Sequence, residues 1–177
     1  MNFESLNTPE KVMEFINCIN YGWMGIDGNI RKNTIKGFQK LYQTQSIEEL
    51  IDTRYGICID DVELERFLLS SHYQTKSFAI ITSHIFHAFL LLEKDGVITY
   101  FEYSSYPNRG IYHFLTEQEA LEFVLNNFIK QHKIRNRKKL SLVEYPAIPP
   151  HTTFKELKEI LTNRPNLLDT KKDMKTY

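Results

Sequence analysis

Residues 86–103 constrain the fold of this chain more than any other segment. Phe86-His87-Ala88-Phe89-Leu90-Leu91-Leu92 and Val97-Ile98-Thr99-Tyr100-Phe101-Glu102-Tyr103 are rich in residues that suit a pleated, half-buried surface. Lys94-Asp95-Gly96 stands between them. Asp-Gly supplies the two positive-φ positions of a tight hairpin turn, so the two runs read as paired antiparallel strands. If Asp95 and Gly96 form the loop, Lys94 faces Val97. His87 then lies opposite Ser104, and Glu102 is its diagonal neighbour on the same face, close enough for long side chains to meet. A register two residues tighter sets His87 directly opposite Glu102. In both registers His84 points to the other face, because side chains alternate with period two. A one-residue bulge at the turn would exchange the two histidines. The bland alternative for His87 and Glu102 is a structural hydrogen bond.

Upstream stands Arg54-Tyr55-Gly56-Ile57-Cys58-Ile59-Asp60-Asp61-Val62-Glu63-Leu64-Glu65-Arg66. Cys58 follows a glycine turn and opens a helical pattern. A helix start offers unpaired N–H groups and the positive end of the dipole, both of which favour a thiolate. Gly56 lets the chain turn tightly into that helix. Asp60 and Asp61 suit the dipole but would oppose ionisation if they faced the sulfur. An isolated cysteine is most often a small buried apolar residue. The two strands downstream reverse that preference here. Cys58, His87 and Glu102 are a possible thiolate nucleophile, its base and the acid that orients the base.

The rest of the chain predicts a mixed fold. Thr8-Pro9-Glu10 starts a helix, with Val12, Phe15, Ile16 and Ile19 at helical spacing. Residues 21–28 break it with three glycines. Residues 33–43 read as a partly helical connector, and Ser46-Ile47-Glu48-Glu49 as a capping box opening a short helix to about Thr53. The Cys58 helix runs to about His72 and is apolar all round, which predicts a central, buried position. Glu63 or Glu65 with Arg66 reads as a structural ion network. A strand at 78–82 precedes the hairpin. A short extended piece at 109–114, a helix from Thr116 to about Gln131, a strand at 140–145, a proline linker at 146–150 and a helix at 153–161 follow it. Residues 163–177 read as a polar tail behind one domain of residues 1–162. Without a βαβ rhythm, this order predicts α+β with an antiparallel sheet.

Composition narrows the function classes. Lys plus Arg and Asp plus Glu are equal at 22 each, so net charge favours neither nucleic acid nor a membrane surface. The basic run at 130–139 reads as a solvated helix end, and Lys171, Lys172 and Lys175 say less still. No apolar run is long enough to span a bilayer, and the start of the chain lacks a signal-peptide pattern. Two cysteines without an export signal predict a reducing, cytoplasmic setting. Cys18 reads as a core residue of the first helix. Neither cysteine belongs to a Cys-x-x-Cys pair, so no metal or other cofactor is expected.

Residues 55–66, with His87-Ala88-Phe89-Leu90-Leu91-Leu92-Glu93 and Tyr100-Phe101-Glu102-Tyr103-Ser104, resemble a bacterial branch of the transglutaminase-like superfamily. The resemblance covers residues 20–130 or so. It implies a papain-like arrangement, with a cysteine at the start of a central helix packed on an antiparallel sheet that carries the histidine and the acid. Carried over, it implies Cys58 as nucleophile, His87 as base and Glu102 as orienting acid. The acid is more often Asp in transglutaminases, so Glu102 departs from the pattern. Many members also stabilise the oxyanion with an upstream Trp indole, which maps to Trp23. A buried core Trp is the plain alternative.

The expected activity is cysteine-dependent acyl transfer or amide hydrolysis on a protein, peptide or small amide or ester. An oxyanion contact from the Cys58 N–H or Trp23 would be worth roughly 3 kcal/mol. Whether water or an amine accepts the acyl group is open. The rival is a non-catalytic domain that uses the same cleft to bind a peptide or protein. A regulatory or immunity-type partner docking through residues 130–139 is a third reading with nothing specific behind it.

Overall fold

The computed structural model of the protein describes residues 3–83 and 85–169. It is α+β. In chain order the elements are α1 (Pro9–Ile16), β1 (Asn20–Met24), β2 (Ile30–Lys32), α2 (Phe38–Leu41), α3 (Ile47–Thr53), β3 (Tyr55–Gly56) and α4 (Cys58–Leu69). Then come β4 (Gln74–Ile81), β5 (Phe86–Lys94), β6 (Val97–Glu102), β7 (Gly110–Phe114), α5 (Glu117–Gln131), β8 (Ser141–Tyr145) and α6 (Phe154–Thr162). Local chemistry accounts for most of the helix starts. Thr8 caps α1 by accepting the Lys11 N–H. Ser46 with Glu49, Thr116 with Glu119 and Thr153 with Glu156 form reciprocal capping boxes for α3, α5 and α6.

The large sheet has the order β7-β6-β5-β4-β8 and is antiparallel throughout. Lys94 pairs with Val97, and Asp95 and Gly96 take φ of 53° and 77°. Both turn residues are therefore left-handed, as a type I′ turn requires. Period-two alternation splits the sheet into two faces. Ala79, Ala88, Leu90 and Leu92 share a core with Ile59, Val62 and Leu64 of α4. Phe78, Phe89, Leu91 and Tyr100 share another with Leu121, Val124 and Phe128 of α5. The sheet is thus sandwiched, with α4 on one side and α5 on the other.

The sequence reading missed a small sheet of order β2-β1-β3. Its glycines looked like a helix-breaking loop. Gly22 instead lies within β1, where an added Cβ would come 2.8 Å from the Tyr55 ring. β1 pairs in parallel with β3, Tyr21 beside Gly56, which anchors the segment immediately before Cys58.

One further expectation is corrected. Cys18 is exposed, lying beyond the end of α1 rather than in its buried stripe. Of the two acids read as partners for Arg66, Glu63 pairs with it at 3.5 Å across one helical turn. Within the stretch read as a polar tail, residues 163–169 contact β8: the Leu167 N–H donates to the Leu142 carbonyl at 2.8 Å, and Asn166 Oδ1 accepts from the Leu142 N–H at 3.0 Å. His84, Lys171, Lys172 and Lys175 lie outside the described residues.

Candidate active site

Cys58 is set by the turn that precedes it. Arg54, at φ 57°, ends α3 in the left-handed conformation. Two residues of β3 follow, and extended Ile57 leads into α4 with Cys58 as its first residue. Gly56 has no room for a side chain there: a Cβ would meet Leu50 Cδ1 at 2.9 Å and Asp61 Oδ1 at 3.1 Å. Asp60 serves the backbone. Its carboxylate accepts the Ile57 and Gln45 N–H groups, each at 3.1 Å, and the Tyr42 hydroxyl at 3.4 Å. Ile57 has no side-chain acceptor for the first N–H groups of the helix. Those groups sit at the positive end of the dipole beside the sulfur. Cys58 itself is partly exposed.

His87 is the second residue of β5, in the wall of the cleft that Cys58 also lines. Its ring lies nearly parallel to Phe89 and to Phe128, with centroids 6.2 and 6.3 Å away. Nε2 meets Glu102 Oε2 at 2.6 Å. With Nε2–H given to the carboxylate, Nδ1 is the nitrogen left for the thiol. Burial works against charge on the ring. The Glu102 charge and a hydrogen bond with Cys58 outweigh it, and the pKa rises from 6.5 to about 10. His87 is therefore an imidazolium at neutral pH.

Glu102 is only 2% exposed yet fully engaged. Besides His87, it accepts the Tyr100 hydroxyl on Oε2. Oε1 accepts the Ser105 N–H at 2.7 Å and the Ser104 hydroxyl at 3.2 Å. Burial pushes its pKa up, but the His87 charge and these donors turn the net shift downward. Composition did not reveal this shell. The alternation Tyr100-x-Glu102 on one face was the available signal.

Cys58 and His87 line one open cleft of about 1230 Å³. Asp61, one turn after Cys58, also lines it and is 4% exposed. Its Oδ1 has no hydrogen-bond partner among the described residues. Burial first, then the neighbouring Asp60 and Glu102 charges, hold Asp61 well above the usual carboxylate range. Tyr21 lies at the same cleft, its phenol pushed up by burial and by the Cys58 charge. Sequence reasoning had singled out neither Tyr21 nor Arg109, which also lines the cleft.

Cys58, His87 and Glu102 are thus brought together, and Trp23 is not. Trp23 is fully buried, its indole N–H donates to the Thr34 carbonyl at 2.6 Å, and it is absent from the cleft wall. The oxyanion role expected for it is corrected to a core role, because the N–H is already engaged. Among the described residues no group of three or more His, Cys, Asp or Glu side chains could hold a metal ion, and no helix is long and apolar enough to cross a membrane. No family model matches the chain, and no characterised protein matches it in sequence.

Proposed function

We propose that the protein is a cysteine enzyme of papain-like, transglutaminase-like arrangement that transfers the acyl group of an amide or ester. One observation carries this reading: His87 sits between Cys58 and Glu102 at an open cleft, with the acid on Nε2 and the thiol left to Nδ1. A purely structural His–Glu pair would need no cysteine at a helix start on its other side. The raised pKa of His87, to which Cys58 contributes, supports a base coupled to the thiol.

In the proposed reaction the Cys58 sulfur attacks the carbonyl carbon. An S–C bond forms, and the carbonyl electrons move to oxygen. The N–H groups at the start of α4 stabilise that oxygen. The intermediate collapses as the C–N or C–O bond breaks, and His87 gives its proton to the departing group. Glu102 keeps the ring oriented and offsets its charge throughout. Water or an amine then attacks the thioester carbonyl, His87 takes the proton, and the C–S bond breaks to release the Cys58 thiolate. The choice between these acceptors decides between hydrolysis or deamidation and transamidation.

The exposed Cys18 is an internal control for the test. Accessibility alone favours alkylation of Cys18 over the half-covered Cys58. With limiting iodoacetamide at pH 7 and peptide mass mapping, Cys58 should label first, at least about tenfold faster. His87→Ala should remove that advantage. In a screen of glutamine, peptide-amide and ester donors, any turnover found should vanish in Cys58→Ala. Preferential labelling of Cys18 in the folded protein would count against the enzyme reading.

A further inference from the structure

The charge of the cleft differs from that of the chain. The protein as a whole balances 22 cationic against 22 acidic side chains. Among the described residues the cleft wall carries Lys40, Arg109 and Lys158 together with His87, and its one acid is Asp61. Burial pushes the Asp61 pKa up, and three cationic side chains stand against this one carboxyl. A cleft of one sign with low-dielectric walls concentrates ligands of the other sign.

Arg109 is the cation fixed by the fold rather than free at the end of a flexible stem. Its Nε–H donates to the Tyr103 carbonyl at 2.8 Å. The guanidinium lies 4.0 Å from the Tyr103 ring centroid and 5.5 Å from that of Tyr106. Nη1 reaches Asn17 Oδ1 at 3.4 Å. No carboxylate forms an ion pair with Arg109 among the described residues. Its charge nevertheless acts on Asp61, one helical turn from the nucleophile. A guanidinium anchored through Nε and aromatic stacking in the wall of a cleft is pre-organised for a planar oxyanion. Four large apolar side chains that are otherwise exposed, Tyr21, Ile35, Ile85 and Tyr106, line the same cleft and suit the carbon skeleton of such a ligand.

We propose that Arg109 selects acyl donors bearing a carboxylate, gripping that group while the donor carbonyl meets Cys58. This rests on Cys58 being the nucleophile. The carboxylate is either an acidic side chain of a peptide or the terminus of a small amide, and the two sources can be told apart.

The probes are chloroacetyl amides, which alkylate the thiolate: an S–CH₂ bond forms as the C–Cl bond breaks, and chloride leaves. The first pair is chloroacetyl-glutamate α-amide against chloroacetyl-glutamine α-amide, which differ by one side-chain charge. The second is chloroacetyl-glycylglycine against its C-terminal amide. The readout is the ratio of charged to neutral labelling rate at Cys58, normalised to the ratio for N-acetylcysteine. At low salt the wild-type ratio should exceed one by on the order of tenfold in at least one pair, and that pair identifies the source. It should shrink in ~0.5 M salt. Arg109→Gln should bring it near one, and Arg109→Lys should recover part of it. A wild-type ratio at or below one in both pairs overturns the proposal even if a variant fails to fold, as does a ratio that Arg109→Gln leaves intact. Charged and neutral probes that both react no faster than with N-acetylcysteine would remove the nucleophile reading beneath it. A fast neutral probe without charge preference overturns the Arg109 proposal alone.

Discussion

Glu102 and Glu65 are equally buried, each 2% exposed, and their carboxylates behave in opposite ways. Glu102, the last residue of β6, meets His87, Tyr100, Ser104 and the Ser105 N–H. Its pKa is lowered despite burial. Glu65 lies on the inner side of α4, and its Oε2 has no hydrogen-bond partner among the described residues. Burial, then the charges of Asp61, Glu102 and Cys58, push its pKa well up. Burial by itself neutralises a carboxylate, and only an assembled set of donors keeps one ionised inside a protein. The fold spends that set on the acid beside His87.

The largest break in this comparison should come from Glu102→Gln. The amide keeps the shape but loses the charge that sustains the imidazolium. Cys58 alkylation at pH 7 should slow by about one to two decades. A variant that labels at the wild-type rate would mean that Glu102 only packs.

Glu65→Gln should act in the opposite sense, on stability. A carboxyl whose folded pKa is raised contributes stability that is full below its unfolded value and lost as pH rises through the folded one. Glu65 and Asp61 are raised in this way, as are Asp60 and Glu63, both to about 7. Wild-type stability should therefore fall between pH 5 and pH 8. Glu102 runs the other way, with its contribution lost as pH falls below the carboxylate range. Relative to wild type, Glu65→Gln should be more stable at pH 8 than at pH 5, read from urea midpoints at both pH values. An equal difference at the two pH values would show that Glu65 is ionised in the fold.

Tyr100→Phe is the finest probe. It removes one donor from Glu102 and leaves the rest. Labelling of Cys58 should fall only a few-fold, consistent with about 1 kcal/mol for one hydrogen bond. A loss as large as that of Glu102→Gln would give Tyr100 a role of its own.

What the sequence revealed follows the range of the interactions. The β5–β6 turn and its register were legible because Asp95-Gly96 dictates both locally. The starts of α1, α3 and α5 were legible because their caps lie within four residues. That register also singled out His87 and Glu102 as neighbours. The β1–β3 pairing was not legible, because residues more than thirty apart decide it. For Trp23 the core alternative fits and the oxyanion reading does not, since the path of the β1–β2 region brings the Thr34 carbonyl to its N–H. The docking of Leu167 on β8 likewise rests on a distant strand that a polar stretch does not announce. Arg109 needed the cleft itself: its anchors, Tyr103 and Asn17, come from different parts of the chain.

The central claim is that His87 is held as an imidazolium between Cys58 and the Glu102 carboxylate. The direct measurement is a ¹⁵N titration of the histidine rings, with His87 assigned by its loss in His87→Ala. The ring should stay doubly protonated through pH 8 and lose its proton near pH 10, where its stabilising contribution is also lost. In Cys58→Ala the midpoint should fall, and in Glu102→Gln it should fall further, because both partners raise it. A His87 ring that titrates near 6.5 and ignores both substitutions would contradict the account.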